Sequence, residues 1–279
     1  MSKNESTQPY QEAREILKMM GTLFDDGGLG ITPPVFDAIG VVVYYTTRTL
    51  RNFGAVLTLC EQGYGVEAQA LVRSMLEDVV DVRYISTAPE TLAVEWSVHE
   101  SRSRYYALKR LLSKETSTEL PEDFAELEAV IAQDKVNARE LAGAGANSRQ
   151  VANLVLKGKW TRLSIGERAR IAQKTYKNTL GVYALYGYLC DNTHGSAALS
   201  GDYVALRDGN LKAALEPNEY KSVMPLMLAT YYASLILDAL VPIGLVDKTD
   251  IVPALEKHLA RFAELEDLER KFVTEDDIH

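Results

Sequence analysis

Residues 66–86 read VEAQALVRSMLEDVVDVRYIS. Stepped at about 100° per residue, Ala68, Leu71, Val72, Met75, Leu76, Val79 and Val82 fall on one arc, the pattern of an amphipathic helix. Arg73 and Glu77, four apart, lie side by side at the flank of that arc. The ordinary reading of such a pair is a local ion pair at the edge of a core. Arg83 instead points into the apolar sector, where a buried guanidinium requires a carboxylate or carbonyl partner.

Helical signals continue on both sides. Upstream, Pro9 is placed to open a first helix, QPYQEAREILKMM, which the Gly- and Pro-dense GTLFDDGGLGITPP ends. A long, mostly apolar helix is expected from Val35 to Glu61, closed by Gln62-Gly63-Tyr64-Gly65. Downstream of 86, Ala88-Pro89 stops the quoted helix. Further helices are expected from Pro89 to about Ser113 and from Pro121 onward. Ser164-Ile165-Gly166-Glu167 has the form of a capping box, so a helix starts near Ile165. Asp208-Gly209, between YVALR and NLKAAL, is the hairpin-like signal of the chain. The expected fold class is all-α: a single irregular multi-helix bundle with a small hairpin near 203–213. Its expected parts are an N-terminal helix and loop over 1–34, a helical core over 35–246, and a C-terminal helix with an acidic tail over 247–279.

Composition narrows the function classes. A net charge of −9 argues against a general nucleic-acid coat. Cys60 and Cys190 are the two cysteines, each inside an apolar run, so neither a disulfide framework nor a structural zinc site is expected. The polar start MSKNESTQPYQEAR lacks the apolar core of a signal peptide, which points to the cytoplasm. Residues 223–246 approach the length of a membrane span, but Asp238 and Pro242 interrupt them, and a buried core helix is expected instead.

The stretch 178–195 holds the chemistry. Its apolar residues surround the helix axis, which places a helix in the middle of a bundle. Tyr183, Gly187, Cys190 and His194 share one stripe, with Tyr186 at its edge. Gly187 costs about 1 kcal/mol of helix propensity, so it should make room for a neighbouring helix or a ligand. His194 at the end of such a helix fits a catalytic or ligand-binding role. It fits a core histidine bonded to a neighbouring helix equally well in form, and buried polar groups are normally satisfied structurally.

Three segments together resemble a known family. They are A-x-x-L-V-R-S-x-x-E, W-T-R-L-S-I-G-E-R-A-R-I-A and Y-x-x-x-C-x-x-x-H-G-S. Their order and separation over roughly 35–240 are similar to an uncharacterised, mainly bacterial family, domain of unknown function 5677. The resemblance implies a polar signature at Arg73, Glu77, Tyr186 and His194. Cys190 stands where the family usually has serine. Since the family lacks an established activity, the resemblance sharpens the site and leaves the reaction open.

Two function classes follow. In one, Arg73, Glu77, Tyr186 and His194 form a buried polar network that fixes helix packing or binds a ligand or partner; fifteen tyrosines against six phenylalanines suit it, because a buried phenol seeks a partner. In the other, the protein is a metal-independent ribonuclease-like toxin or phage-defence effector, with His194 exchanging a proton and Arg73 holding phosphate. Against that, no histidine has an arginine at the R-x(4–6)-H spacing of such helical ribonucleases. Glu77, Asp81, Glu95, His99 and His194 could supply metal ligands, yet their spacing is not diagnostic, so neither metal nor cofactor is expected. The basic region 149–177, which includes Arg168, offers a face for an RNA or protein partner. A homo-oligomer and no membrane association complete the expectation.

Overall fold

The computed structural model describes residues 3–25, 38–89, 91–93, 95–96, 129, 132, 161, 163–176, 179–193, 203–207, 210–213, 217–218 and 221–240. By its internal contacts the chain forms two compact units, Met1–Pro89 with Leu163–His279, and Glu90–Arg162. Every element named below belongs to the first unit. Of the helices expected over 89–113 and from Pro121, residues 89, 91–93, 95–96, 129 and 132 are described and are helical; the rest of them, residues 241–279 and His194 lie outside the described residues.

The fold class is all-α. Helix α1 spans Lys3–Asp25 and contains Pro9 well inside it, so the expectation that Pro9 opens this helix is corrected. Proline removes one backbone donor. The buried stripe Ala13, Ile16 and Met20 anchors the helix against its neighbours, and such tertiary burial outweighs a lost intrahelical bond. Helix α2, Ala38–Glu61, follows. It ends at Gly63, whose φ of 80° is the left-handed backbone that the expected Gly-rich closure requires. Tyr64 N–H then donates to the Leu59 carbonyl at 2.8 Å.

Helix α3, Gly65–Ile85, is the hub. It packs against α2, against α4 (Ile165–Ala172), against α5 (Thr179–Thr193) and against α6 (Val223–Leu240). The expected arc is buried except for half-buried Leu71: Ala68, Val72, Met75, Leu76, Val79 and Val82 are all core residues. Around it lie Val41, Phe53 and Val56 of α2 and Leu226, Tyr232 and Ile236 of α6.

Helix α6 is buried along nearly its whole length from Leu226, with Asp238 exposed at its far end. Thr230 and Ser234 satisfy their hydroxyls within the helix, donating to the carbonyls of Leu226 at 2.8 Å and Thr230 at 2.9 Å. Among the described residues, no helix is long and apolar enough to cross a membrane. The central position expected for α5 belongs instead to α3 and α6. Val182 and Leu189 of α5 are buried, but Gly187 and Tyr188 are exposed. An apolar wheel of tyrosines does not by itself place a helix at the centre, since a phenol tolerates water at its tip.

The hairpin forms as expected. Strands β1, Val204–Arg207, and β2, Asn210–Ala213, pair antiparallel from Val204 opposite Ala213 to Arg207 opposite Asn210.

One close approach fixes how α3 begins. A Cβ on Gly65 would sit 2.3 Å from the Lys221 carbonyl oxygen, just before α6. Backbone cannot yield as a flexible side chain does. Gly65→Ala is therefore expected to lower stability by about 1–3 kcal/mol, read as a drop of several degrees in melting temperature.

Candidate functional site

Arg73, Glu77 and Asp81 follow one another at four-residue spacing and so form a strip along α3. The strip runs from half-buried to buried, with Arg73 met from α5 and Asp81 from α2 and α4.

At the outer end, Arg73 Nε donates to Glu77 Oε1 at 3.2 Å and Nη2 donates to the Tyr186 hydroxyl of α5 at 3.0 Å. The guanidinium carbon lies 5.1 Å from the centre of the Tyr186 ring, and Tyr183 stacks on that ring at 5.6 Å. The side chains of Arg73 and Glu77 keep 20% and 33% of their surface exposed, so solvent reaches this end. Burial pulls the Arg73 guanidinium down, but Tyr186, Glu77 and Cys190 outweigh it and raise it above its usual value. Burial, a hydrogen bond with Cys190 and the charge of Glu77 push the Tyr186 phenol up, against the opposing pull of Arg73. Three of the four site residues expected from sequence are thus in one cluster. His194 is one helical turn beyond Cys190 in the sequence and lies outside the described residues.

At the inner end the chain places residues that the sequence did not join. Asp81 is buried, accepts a hydrogen bond from the Tyr45 hydroxyl of α2 at 2.9 Å, and forms an ion pair with Arg168 of α4. Burial lowers the Arg168 guanidinium, with Tyr45, Glu77 and Tyr186 opposing; it stays a cation at any ordinary pH. Arg168 was expected on a solvated basic face. It is instead mostly covered beside α3, with 13% of its side chain exposed, because α4 docks through the buried Ala169 and Ala172 and carries the adjoining arginine inward.

Local sequence explains how α4 is held. Ser164 accepts from the Glu167 N–H at 3.3 Å while Glu167 accepts from the Ser164 N–H at 2.6 Å, the capping box expected from S-I-G-E. Gly166 lies so close to α5 that a Cβ there would stand 2.9 Å from the Tyr183 ring. The glycine lets α4 approach the aromatic stack that supports Tyr186.

A second ion pair crosses from α2. Asp78 is fully buried, held by Arg48 Nη2 at 2.9 Å and by the Thr49 hydroxyl at 3.1 Å. Burial outweighs Arg48 and pushes the Asp78 carboxyl up to about 7. Arg83 is also buried, as expected, and a hydroxyl and a ring are among its partners. Its Nη1 donates to Thr179 at 3.2 Å and its guanidinium lies 5.7 Å from the Tyr176 ring centre.

The arrangement can therefore fix a guanidinium and a phenol rigidly at a solvent-accessible edge while locking four helices behind them. Gly187, next to Tyr186, has nothing within 4 Å of where a Cβ would stand, so open space adjoins the cluster.

Residues 40–211 match the model of a family described as Family of unknown function (DUF5677), and the chain belongs to that family. No curated protein and no solved structure matches it.

The Asp78 environment sets a pH dependence. Its carboxyl binds a proton more tightly folded than unfolded, so this group's contribution to stability is full below pH ~4 and is lost as pH rises toward about 7. The melting temperature of Asp78→Asn minus that of the wild type is expected to become more positive by several degrees from pH 5 to pH 8. A difference that stays flat across this range would contradict the assignment.

Proposed function

We propose that this member of a family without an assigned activity is a cytoplasmic, homo-oligomeric helical protein whose Arg/Glu/Tyr/His centre is a structural network with a ligand- or partner-binding edge. The observation that carries the reading is Arg73: its guanidinium is gripped by Glu77 on one nitrogen and Tyr186 on another, yet a fifth of the side chain faces solvent. A donor fixed in advance loses little conformational freedom on binding, which is how preorganised sites gain affinity. His194 would extend the centre from the end of α5. The basic 149–177 region remains an RNA- or protein-facing surface in this proposal, without Arg168, whose charge is spent on Asp81.

Network and nuclease separate in one comparison. Wild type, Arg73→Met, Tyr186→Phe and His194→Ala are incubated with a mixed RNA pool without added metal, and each melting temperature is recorded. The expected outcome is no cleavage by any of them, with each variant melting several degrees lower, since a buried hydrogen bond to a charged group contributes about 1.5–3 kcal/mol. Cleavage by wild type that His194→Ala abolishes at an unchanged melting temperature would instead establish the ribonuclease alternative, with His194 and Arg73 catalytic.

A further inference from the structure

The opposite flank of α3 carries a second group of donors that the cluster at Arg73 does not use. In a chain of net charge −9, helix α2 is locally positive. It carries Arg48 and Arg51, and its one carboxylate, Glu61, is engaged at its far end by Arg14 at 2.6 Å. Arg48 and Arg51 are three apart and so share a side of the helix, with exposed Tyr44 one turn before Arg48.

Arg48 is held from within. Its Nη2 meets both Asp78 at 2.9 Å and the Ser74 hydroxyl at 2.8 Å, and its guanidinium lies 5.9 Å from the Tyr45 ring centre. Yet 37% of the side chain remains exposed, and a guanidinium carries five N–H donors. Ser74, half-buried, accepts from Arg48, and a hydroxyl that accepts still carries one O–H donor. The Tyr44 hydroxyl is hydrogen-bonded with Arg48 at the same edge and lies on a ring that is itself exposed.

We propose that Arg48, Ser74 and Tyr44, with Arg51 beside them, form a binding site for a phosphate-type oxyanion. A planar guanidinium next to a hydroxyl is the donor set that matches tetrahedral oxygen geometry, and charge-assisted bonds of this kind are the strong ones. The buried carboxyl behind Arg48 supports the assignment. Burial keeps Asp78 protonated in a substantial fraction of molecules at neutral pH, which leaves the Arg48 cation incompletely neutralised from inside. An ordinary surface ion pair would have both partners in water, whereas here the carboxylate side is fully buried and the cation faces out. The site is independent of Arg73 and of the function proposed above.

The test is calorimetric titration of the full chain with inorganic phosphate and, separately, with adenosine monophosphate at the same ionic strength. Saturable binding is expected in wild type, with affinity falling about tenfold in Ser74→Ala and in Arg48→Lys, the loss of one charge-assisted bond. Ser74→Ala disturbs no buried charge, so it reports on the site even where the Arg48 variant folds poorly. Arg73→Met is expected to bind phosphate as wild type does. Tighter binding of the monophosphate than of inorganic phosphate supports a phosphate-ester ligand, and equal binding supports the free anion. Absence of saturable heat in wild type, or binding unchanged in both Ser74→Ala and Arg48→Lys, would overturn the proposal.

Discussion

Two carboxylates on the hub helix α3 constrain the arrangement of its neighbours. Asp78 and Asp81 lie in a region of low dielectric, where an unpaired charge is costly by several kcal/mol. Helix α2 answers both, with Arg48 and Thr49 on one and Tyr45 on the other, and α4 answers the second with Arg168. Apolar packing and close contacts such as that at Gly65 bring these helices together, and each ion pair and hydroxyl bond adds a constraint on how far each slides or rotates. Arg73 and Tyr186 extend the same logic toward solvent, so the candidate site is the outer end of a polar seam whose inner end holds the bundle in register.

Glycine has two opposite uses along this seam. Gly65 and Gly166 stand where a methyl group would strike a carbonyl oxygen or a tyrosine ring, so they permit α3 and α4 to settle against their neighbours. Gly187 meets nothing. A helix interior ordinarily disfavours glycine, and the close contact that excuses the first two is missing at the third. Gly21 and Gly54 share that openness, and Gly187 is exposed beside Tyr186.

What could be read in the sequence was what local pattern encodes. The arc of α3, the Ser164–Glu167 box, the Gly63 closure and the hairpin each depend on residues a few positions apart, and all formed as expected. Arg73 and Glu77 were legible for the same reason, and Tyr186 joined them through the family resemblance. Arg168 was misplaced because a run containing Arg162, Arg170 and Lys174 looks like a solvated face. The buried Ala169 and Ala172 were the available hint of which side turns inward. Arg48 and Asp78 carried no readable signal, because their partnership joins two helices and neither residue breaks its own helical pattern. The centrality of α5 was overestimated from its tyrosines, whose rings pack while their hydroxyls reach water.

The long-range bonds of α3 also bear on the order in which the chain can assemble. Arg73 meets its phenol 113 residues away and Arg83 its hydroxyl 96 residues away. During synthesis the first three helices emerge well before either partner exists. The nascent N-terminal part can bury the apolar arc of α3 against α2, but its two arginines must stay hydrated, which holds that face of the helix open. Contacts at such separation are closed late and slowly. The bundle therefore cannot close until α5 and then α6 have emerged, and a chain stopped before Thr179 lacks both the helix that meets Arg73 and Arg83 and the most apolar wall of the core.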